Sequence, residues 1–253
     1  MTLPYDPIET LQSDGIATIE MFRDGDPTAE VPDCPGWGLS DLARHLGGVW
    51  HFWGQIVSQG ITERSRLQEI SVPSGLDGEM LVDFASVAHN ELYSALVRAG
   101  VETEVWTWTG ANRTTAWVRR RMALEAAMHR FDAARALGDP YEVPTAMAAD
   151  GIDEFLEWFA GRERREGERK PGGTVHLHCT DTDAGDVAGG EWYVSSLKEP
   201  SCTFTREHRK ADAAVRGRAH EVLAWLWRRE TDGIEILGDD AVARRFRAYT
   251  DLD

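Results

Sequence analysis

The spacing of apolar residues changes once along this chain, and that change constrains its architecture more than any other feature. Up to Gly138 the apolar positions recur three and four apart, whereas beyond about Pro171 they fall in short alternating runs. The first pattern places one buried stripe on a helix, and the second builds half-buried strands. A first helix is expected from Ile8 to Phe22. The loop VPDCPGWG, stiffened by Pro32 and Pro35, leads into a second helix capped by Ser40, with Leu39, Leu42, Leu46, Val49, Trp53 and Ile56 inward. A third is expected from Gly78 to Arg98, with Leu81, Phe84, Ala88, Leu92 and Ala95 inward. A fourth runs from Thr115 to about Leu137 and is stopped by Gly138 and Pro140. Together they predict a four-helix bundle over residues 1–140.

After GDPYEVP comes a fifth helix holding Ile152, Phe155, Leu156 and Phe159, expected to pack with the second half rather than the bundle. The charged run RERREGERK reads as a solvated linker. TVHLHCT, EWYVSSL, CTFTRE, AAVRG and IEILG read as strands, and HEVLAWLWRRE and DAVARRFRAY as helices. Residues 145–253 are therefore expected to form a smaller α+β domain, giving an α+β chain overall.

The formal net charge of -16 argues against nucleic acid and anionic membranes as partners. The N-terminus has neither the basic start nor the apolar core of a signal peptide, and no stretch is apolar for long enough to span a membrane. Three cysteines (Cys34, Cys179, Cys202), with no CxxC pair, read as free thiols of a cytoplasmic protein. No dinucleotide fingerprint, phosphate-cradling loop or serine elbow is present.

Glu125 and His129 stand four apart, so they project from one face of the fourth helix beside its Leu124, Met128, Phe131 stripe. His45 occupies the equivalent place on the second helix beside Leu42 and Leu46. Gly47 and Gly48 follow it and would let another element approach closely. Two imidazoles and a carboxylate from facing helices can hold a metal with one position open, the catalytic arrangement for zinc. A single Glu-x-x-x-His pair is common on helices and is usually just solvated, so spacing alone favours that reading.

Longer stretches carry a resemblance. VPDCPGWGLSDLARHLGGVWHFW, with its Cys-Pro-x-Trp loop and DLxxHLGGV helix, resembles the first signature of the mycothiol-dependent maleylpyruvate isomerase family. RRRMALEAAMHRFDAARALG resembles the second, and GTVHLHCTDTD, ADAAVRGRAHEVLAWLWRR and IEILGD resemble the family's C-terminal domain. The resemblance implies a DinB-like bundle followed by a sterol-carrier-like α+β domain. It implies a divalent metal, most suitably zinc, on His45, Glu125 and His129, and mycothiol as thiol cosubstrate. It matches Asp132 to a trailing acid that either orients a ligand or lies on a solvated face, and Arg229, with Arg228 beside it, to an arginine of the active site. The implied activity is thiol-dependent cis-trans isomerisation. Thiol transfer to another electrophile and non-catalytic binding of a small ligand stay open. The partners expected are a small-molecule substrate and a low-molecular-weight thiol, on a monomer or small homo-oligomer. Some relatives have a histidine directly after GGV, where this chain has Trp50 and then His51.

Other residues read as structural. His176 and His178 share one face of a strand, and with Asp181 and Asp183 they are expected to form a half-exposed strand running into a turn rather than a ligand cluster. DTDAGD lacks the acid that would close a calcium loop. His89 reads as a pocket or core histidine rather than a further ligand, Cys34 as loop packing, and Trp106 and Trp108 as hydrophobic packing.

Overall fold

The computed structural model describes residues 3–161, 172–182, 187–196 and 202–249. It divides into two compact units, Tyr5–Glu142 and one that begins at Val143. The linker reading of RERREGERK and the assignments at Asp183–Asp186 lie outside the described residues.

The first unit consists of α1 (Pro7–Asp24), α2 (Leu39–Ser58), α3 (Gly78–Arg98) and α4 (Thr115–Leu137). Helix α2 packs on α3 and α1 on α4, with further α1–α3 and α2–α4 contacts that close the bundle. The core follows most of the predicted stripes: Leu39, Leu42, Leu46, Trp53 and Ile56 of α2 and Leu81, Ala88, Leu92 and Ala95 of α3 are buried, whereas Val49 and Phe84 are half-buried and Trp50 and Ala85 are buried beside them. Helix α1 begins because the Asp6 carboxylate accepts from Ile8 N and Glu9 N. Helix α2 does not use Ser40 as its cap. Gly38 stands at the cap, and its N–H donates to Asp41 Oδ2 at 2.9 Å, so the capping carboxylate comes from within the first turn. Helix α4 ends where Gly138 turns left-handed at φ 74°.

Two glycines set helix separations. A Cβ on Gly47 would stand 3.0 Å from the Phe84 ring and 3.2 Å from Ala85 Cα, so α3 approaches α2 there. Gly48 has only Val72 Cγ1 nearby, at 3.7 Å, because it faces away from α3; it is not needed for the approach. On α1, Gly15 lies against His89, a fully buried core histidine whose Nε2 meets Leu11 O at 3.0 Å and whose ring stands edge-on to Trp50.

In the second unit, α5 (Thr145–Phe155) continues into a π-helical turn at Leu156–Ala160 and packs on α6 (Ala219–Leu226). The fifth helix thus belongs with the second half. One five-stranded sheet has the order β3-β2-β1-β4-β5, with β1 Thr174–Cys179, β2 Glu191–Ser195, β3 Thr203–Thr205, β4 Ala213–Gly217 and β5 Glu235–Gly238. Among the described strands only β1 and β4 pair in parallel. One face is apolar and buried: Val175, Leu177, Trp192, Val194, Ala213 and Val215. Helices α6 and α7 (Asp240–Tyr249) both contact β1 and β4. Among the described residues no helix is long and apolar enough to cross a membrane.

Candidate metal centre

Helix α2 carries His45 beside its buried Leu42 and Leu46, and α4 carries Glu125 and His129 one turn apart beside buried Met128 and Phe131. Their ligand atoms all lie within 4.8 Å of one another. Glu125 Oε1 lies 3.3 Å from His45 Nε2 and 3.2 Å from His129 Nε2, so both imidazoles converge on one carboxylate oxygen. The other oxygen, Oε2, accepts from the Arg121 guanidinium one turn earlier. The Nδ1–H of His129 donates to Asp132 Oδ2 at 2.9 Å, which leaves Nε2 as the nitrogen turned to Glu125. Asp132 is 1% exposed, so it orients His129 and does not lie on a solvated face. The Trp37 ring of the CPGW loop stands 5.3 Å from the His45 ring.

The electrostatics follow from burial and charge. Burial alone would push the Glu125 carboxyl up, but Arg121 and His129 outweigh it and hold it well below the usual carboxylate range. Burial alone would depress His129, but Glu125 and Asp132 raise it to about 9.

Arg121 and Trp37 were not singled out by residue spacing. Arg121 was legible as the i−4 neighbour of Glu125 within RRRMALE. Trp37 was visible in the loop sequence, but its position over His45 depends on how that loop folds. Trp50, which follows the GGV segment, is fully buried. Trp106 lies half-buried and stacked on Trp53, whereas Trp108 touches Trp117 edge-on but stays exposed, so the packing expectation holds for Trp106 and only in part for Trp108. Arg229 lies in the second unit. Helix α6 stops at Leu226 and Arg228 turns left-handed at φ 65°, so both arginines follow the helix rather than ride on it. Arg229 Nη1 donates to Trp227 O at 2.7 Å.

The expectation for β1 needs correction. His176 is 7% exposed and buried, because β1 is the central strand with neighbours on both sides. With His178, Glu191 and His208 it forms a second group whose ligand atoms lie within 4.8 Å of one another. Asp181 is apart from that group: its Oδ1 accepts from Ala219 N at 2.8 Å at the start of α6.

Two outcomes follow. Asp132→Ala is expected to weaken zinc binding at the bundle site about 10–100-fold, because His129 loses the acceptor that orients it; zinc titration against a competing chelator measures this, and an unchanged affinity would count against the role. Cys179 and Cys202 are buried, and burial pushes the Cys179 thiol up, whereas Cys34 is half-buried. A thiol reagent is therefore expected to modify Cys34 in the native protein and the other two only after unfolding, as peptide mapping would show.

Comparisons with known proteins match both halves of the chain. The family model described as the mycothiol maleylpyruvate isomerase N-terminal domain matches residues 10–134, and the model for the family's C-terminal domain matches residues 146–245. No curated protein sequence matches the chain. A crystal structure of the mycothiol-dependent maleylpyruvate isomerase is similar, at TM-score 0.62 and 15% identity over 93% of this chain and 95% of that one. A mutant of that enzyme gives TM-score 0.64 and 14% identity over the same shares. At such identity the likeness establishes a shared fold. With both family models matching in order along it, the chain belongs to the mycothiol-dependent maleylpyruvate isomerase family.

Proposed function

We propose that this protein is a metal- and thiol-dependent isomerase of maleylpyruvate or a close analogue, with mycothiol as cosubstrate and zinc held by His45, Glu125 and His129. The observation that carries the reading is the convergence of two imidazole nitrogens on one oxygen of Glu125. That donor set suits zinc, and three protein ligands leave a position open. The chemistry a divalent cation supplies there is acidification of a bound thiol, so that the thiolate predominates.

The chain's own residues do the remaining work. Arg121 fixes the Glu125 carboxylate through Oε2 and leaves Oε1 toward the two histidines. Asp132 fixes which nitrogen of His129 faces the same point. The cosubstrate sulfur adds its electron pair to the activated double bond, and the displaced π pair moves onto the conjugated carbonyl oxygen. The former double bond rotates as a single bond, and return of the electrons expels the thiolate and leaves the trans product. Arg229 is assigned the substrate carboxylate, for which paired guanidinium hydrogen bonds are suited.

A second reading, thiol transfer to another electrophile, is favoured by Trp50, which places a buried indole where some relatives have histidine. The test is turnover of maleylpyruvate by zinc-loaded protein with mycothiol. Isomerisation without net thiol consumption, lost on chelation, is the expected result. Stoichiometric loss of thiol would indicate transfer instead. Failure to turn over any thiol–electrophile pair would leave a ligand-binding protein and overturn both enzymatic readings.

A further inference from the structure

The second histidine group is built by the sheet itself. His176 and His178 are two apart on β1, so they project from one face. Antiparallel pairing sets Glu191 of β2 directly across from His178, and Tyr193 across from His176. His208 arrives from the segment that follows β3, where the Arg209 guanidinium lies 4.3 Å over the Tyr193 ring. Glu191 Oε1 stands 2.9 Å from His178 Nδ1, and its Oε2 stands 2.8 Å from His208 Nδ1 and 3.6 Å from His176 Nε2.

Hydrogen bonding alone leaves this group incomplete. The His176 Nε2 is buried and makes no hydrogen bond, and 3.6 Å to Glu191 is too long for one. Three imidazoles gathered round one carboxylate would repel one another if protonated. A cation in their midst removes that difficulty and satisfies Nε2. Ligands at about 2.0–2.1 Å from a tetrahedral zinc stand roughly 3.4 Å apart from one another. The 3.6 Å between His176 Nε2 and Glu191 is near that spacing, and the 2.8 and 2.9 Å to His208 and His178 would have to open by roughly half an ångström around an ion. Three nitrogens and one oxygen select a transition metal such as zinc, cobalt or nickel over magnesium or calcium, which prefer oxygen.

We propose that His176, His178, Glu191 and His208 form a second divalent transition-metal site, separate from the bundle site, that clamps the segment after β3 onto strands β1 and β2. Its ligands span buried His176 and His208, whose side chain is 75% exposed, so an ion can enter from the His208 side. The role is structural: the ion would join the chain after β3 to the central strand.

The experiment titrates chelator-stripped protein with zinc alone, following stoichiometry and far-ultraviolet circular dichroism. Wild type is expected to take up about two equivalents, His129→Ala about one, His178→Ala/His208→Ala about one, and the combined variant none. Two equivalents retained by His178→Ala/His208→Ala would overturn the proposal, as would a single wild-type equivalent that this variant keeps. A single equivalent kept by His129→Ala but lost in His178→Ala/His208→Ala would support this site and remove the bundle site. Should the double variant fail to fold, His208→Ala alone, an exposed substitution, is expected to weaken uptake at this site at least about tenfold; unchanged affinity there would overturn the proposal.

Discussion

Replacing His129 with alanine is expected to empty the bundle site and abolish thiol-dependent turnover while the protein stays folded. Two ligands remain, His45 and Glu125, and two are too few for tight zinc binding. The fold survives on magnitudes. Met128 and Phe131 keep their burial and Arg121 still pairs with Glu125, while Asp132 loses its hydrogen bond and Glu125 loses one of its two histidine contacts. Removing one partner of a buried charge pair costs about 3–5 kcal/mol, against roughly 5–15 kcal/mol for a typical domain. Zinc content, activity and circular dichroism test the three parts together. An unfolded variant would make His129 structural, and unchanged zinc content would place the metal elsewhere. The stripped wild type should show a pH signature as well. Because Glu125 and Asp132 raise His129 to about 9 against an unfolded value of 6.5, its pairing stabilises fully below pH 6.5. That contribution should fade as pH rises through about 9, and His129→Ala should lack it. Melting temperatures of the two stripped proteins across that range would show the difference.

Gly15→Ala is expected to destabilise the protein by about 2 kcal/mol, whereas Gly48→Ala should be neutral or slightly stabilising. Both sit inside helices, so alanine contributes up to about 1 kcal/mol of helix propensity at each. At Gly15 the new methyl overlaps the His89 Nε2 and Cδ2 atoms. That ring cannot swing away without losing its contact with Leu11 O and its edge contact with Trp50. Overpacking of about 1–3 kcal/mol plus a lost hydrogen bond of about 1 kcal/mol outweighs the propensity gain. At Gly48 the nearest atom is Val72 Cγ1 at ordinary contact distance, 3.7 Å, so only the gain remains. The expected fall in melting temperature for Gly15→Ala is about 4–8 °C. Equal melting temperatures for the two variants would contradict the packing argument.

The helices of the bundle were legible because each buries one stripe, and a stripe leaves its period in the sequence. Glu125 and His129 were legible for the same reason, since helical spacing brings them to one face. His45 needed more: it lies 80 positions from Glu125, so helix position made it a candidate and the longer resemblance strengthened the link. The misreading of His176 has a physical origin. Alternation along β1 correctly separated its two faces, but alternation does not say whether the polar face stays open. The neighbouring strands and His208, which lies far along the chain, cover it. The end of α6 was equally hidden. WLWRR continues a helical pattern, yet the chain turns left-handed at Arg228, so the position of Arg229 could not be read from periodicity.

The two outermost strands of the sheet are its shortest ladders. β3 spans Thr203–Thr205 and β5 spans Glu235–Gly238. An outer strand offers its unpaired amides as a template for a foreign strand, and the strength of that invitation grows with its length. β3 is followed at once by Arg206, whose guanidinium is engaged by Asp153, and β5 opens on Glu235 and closes on left-handed Gly238. A strand docking on either side would find three or four residues of register before meeting a charge or a bend. With a net charge of -16 on every copy, approach of another molecule is opposed before contact. The sheet is thus guarded against edge-to-edge aggregation even at high protein concentration.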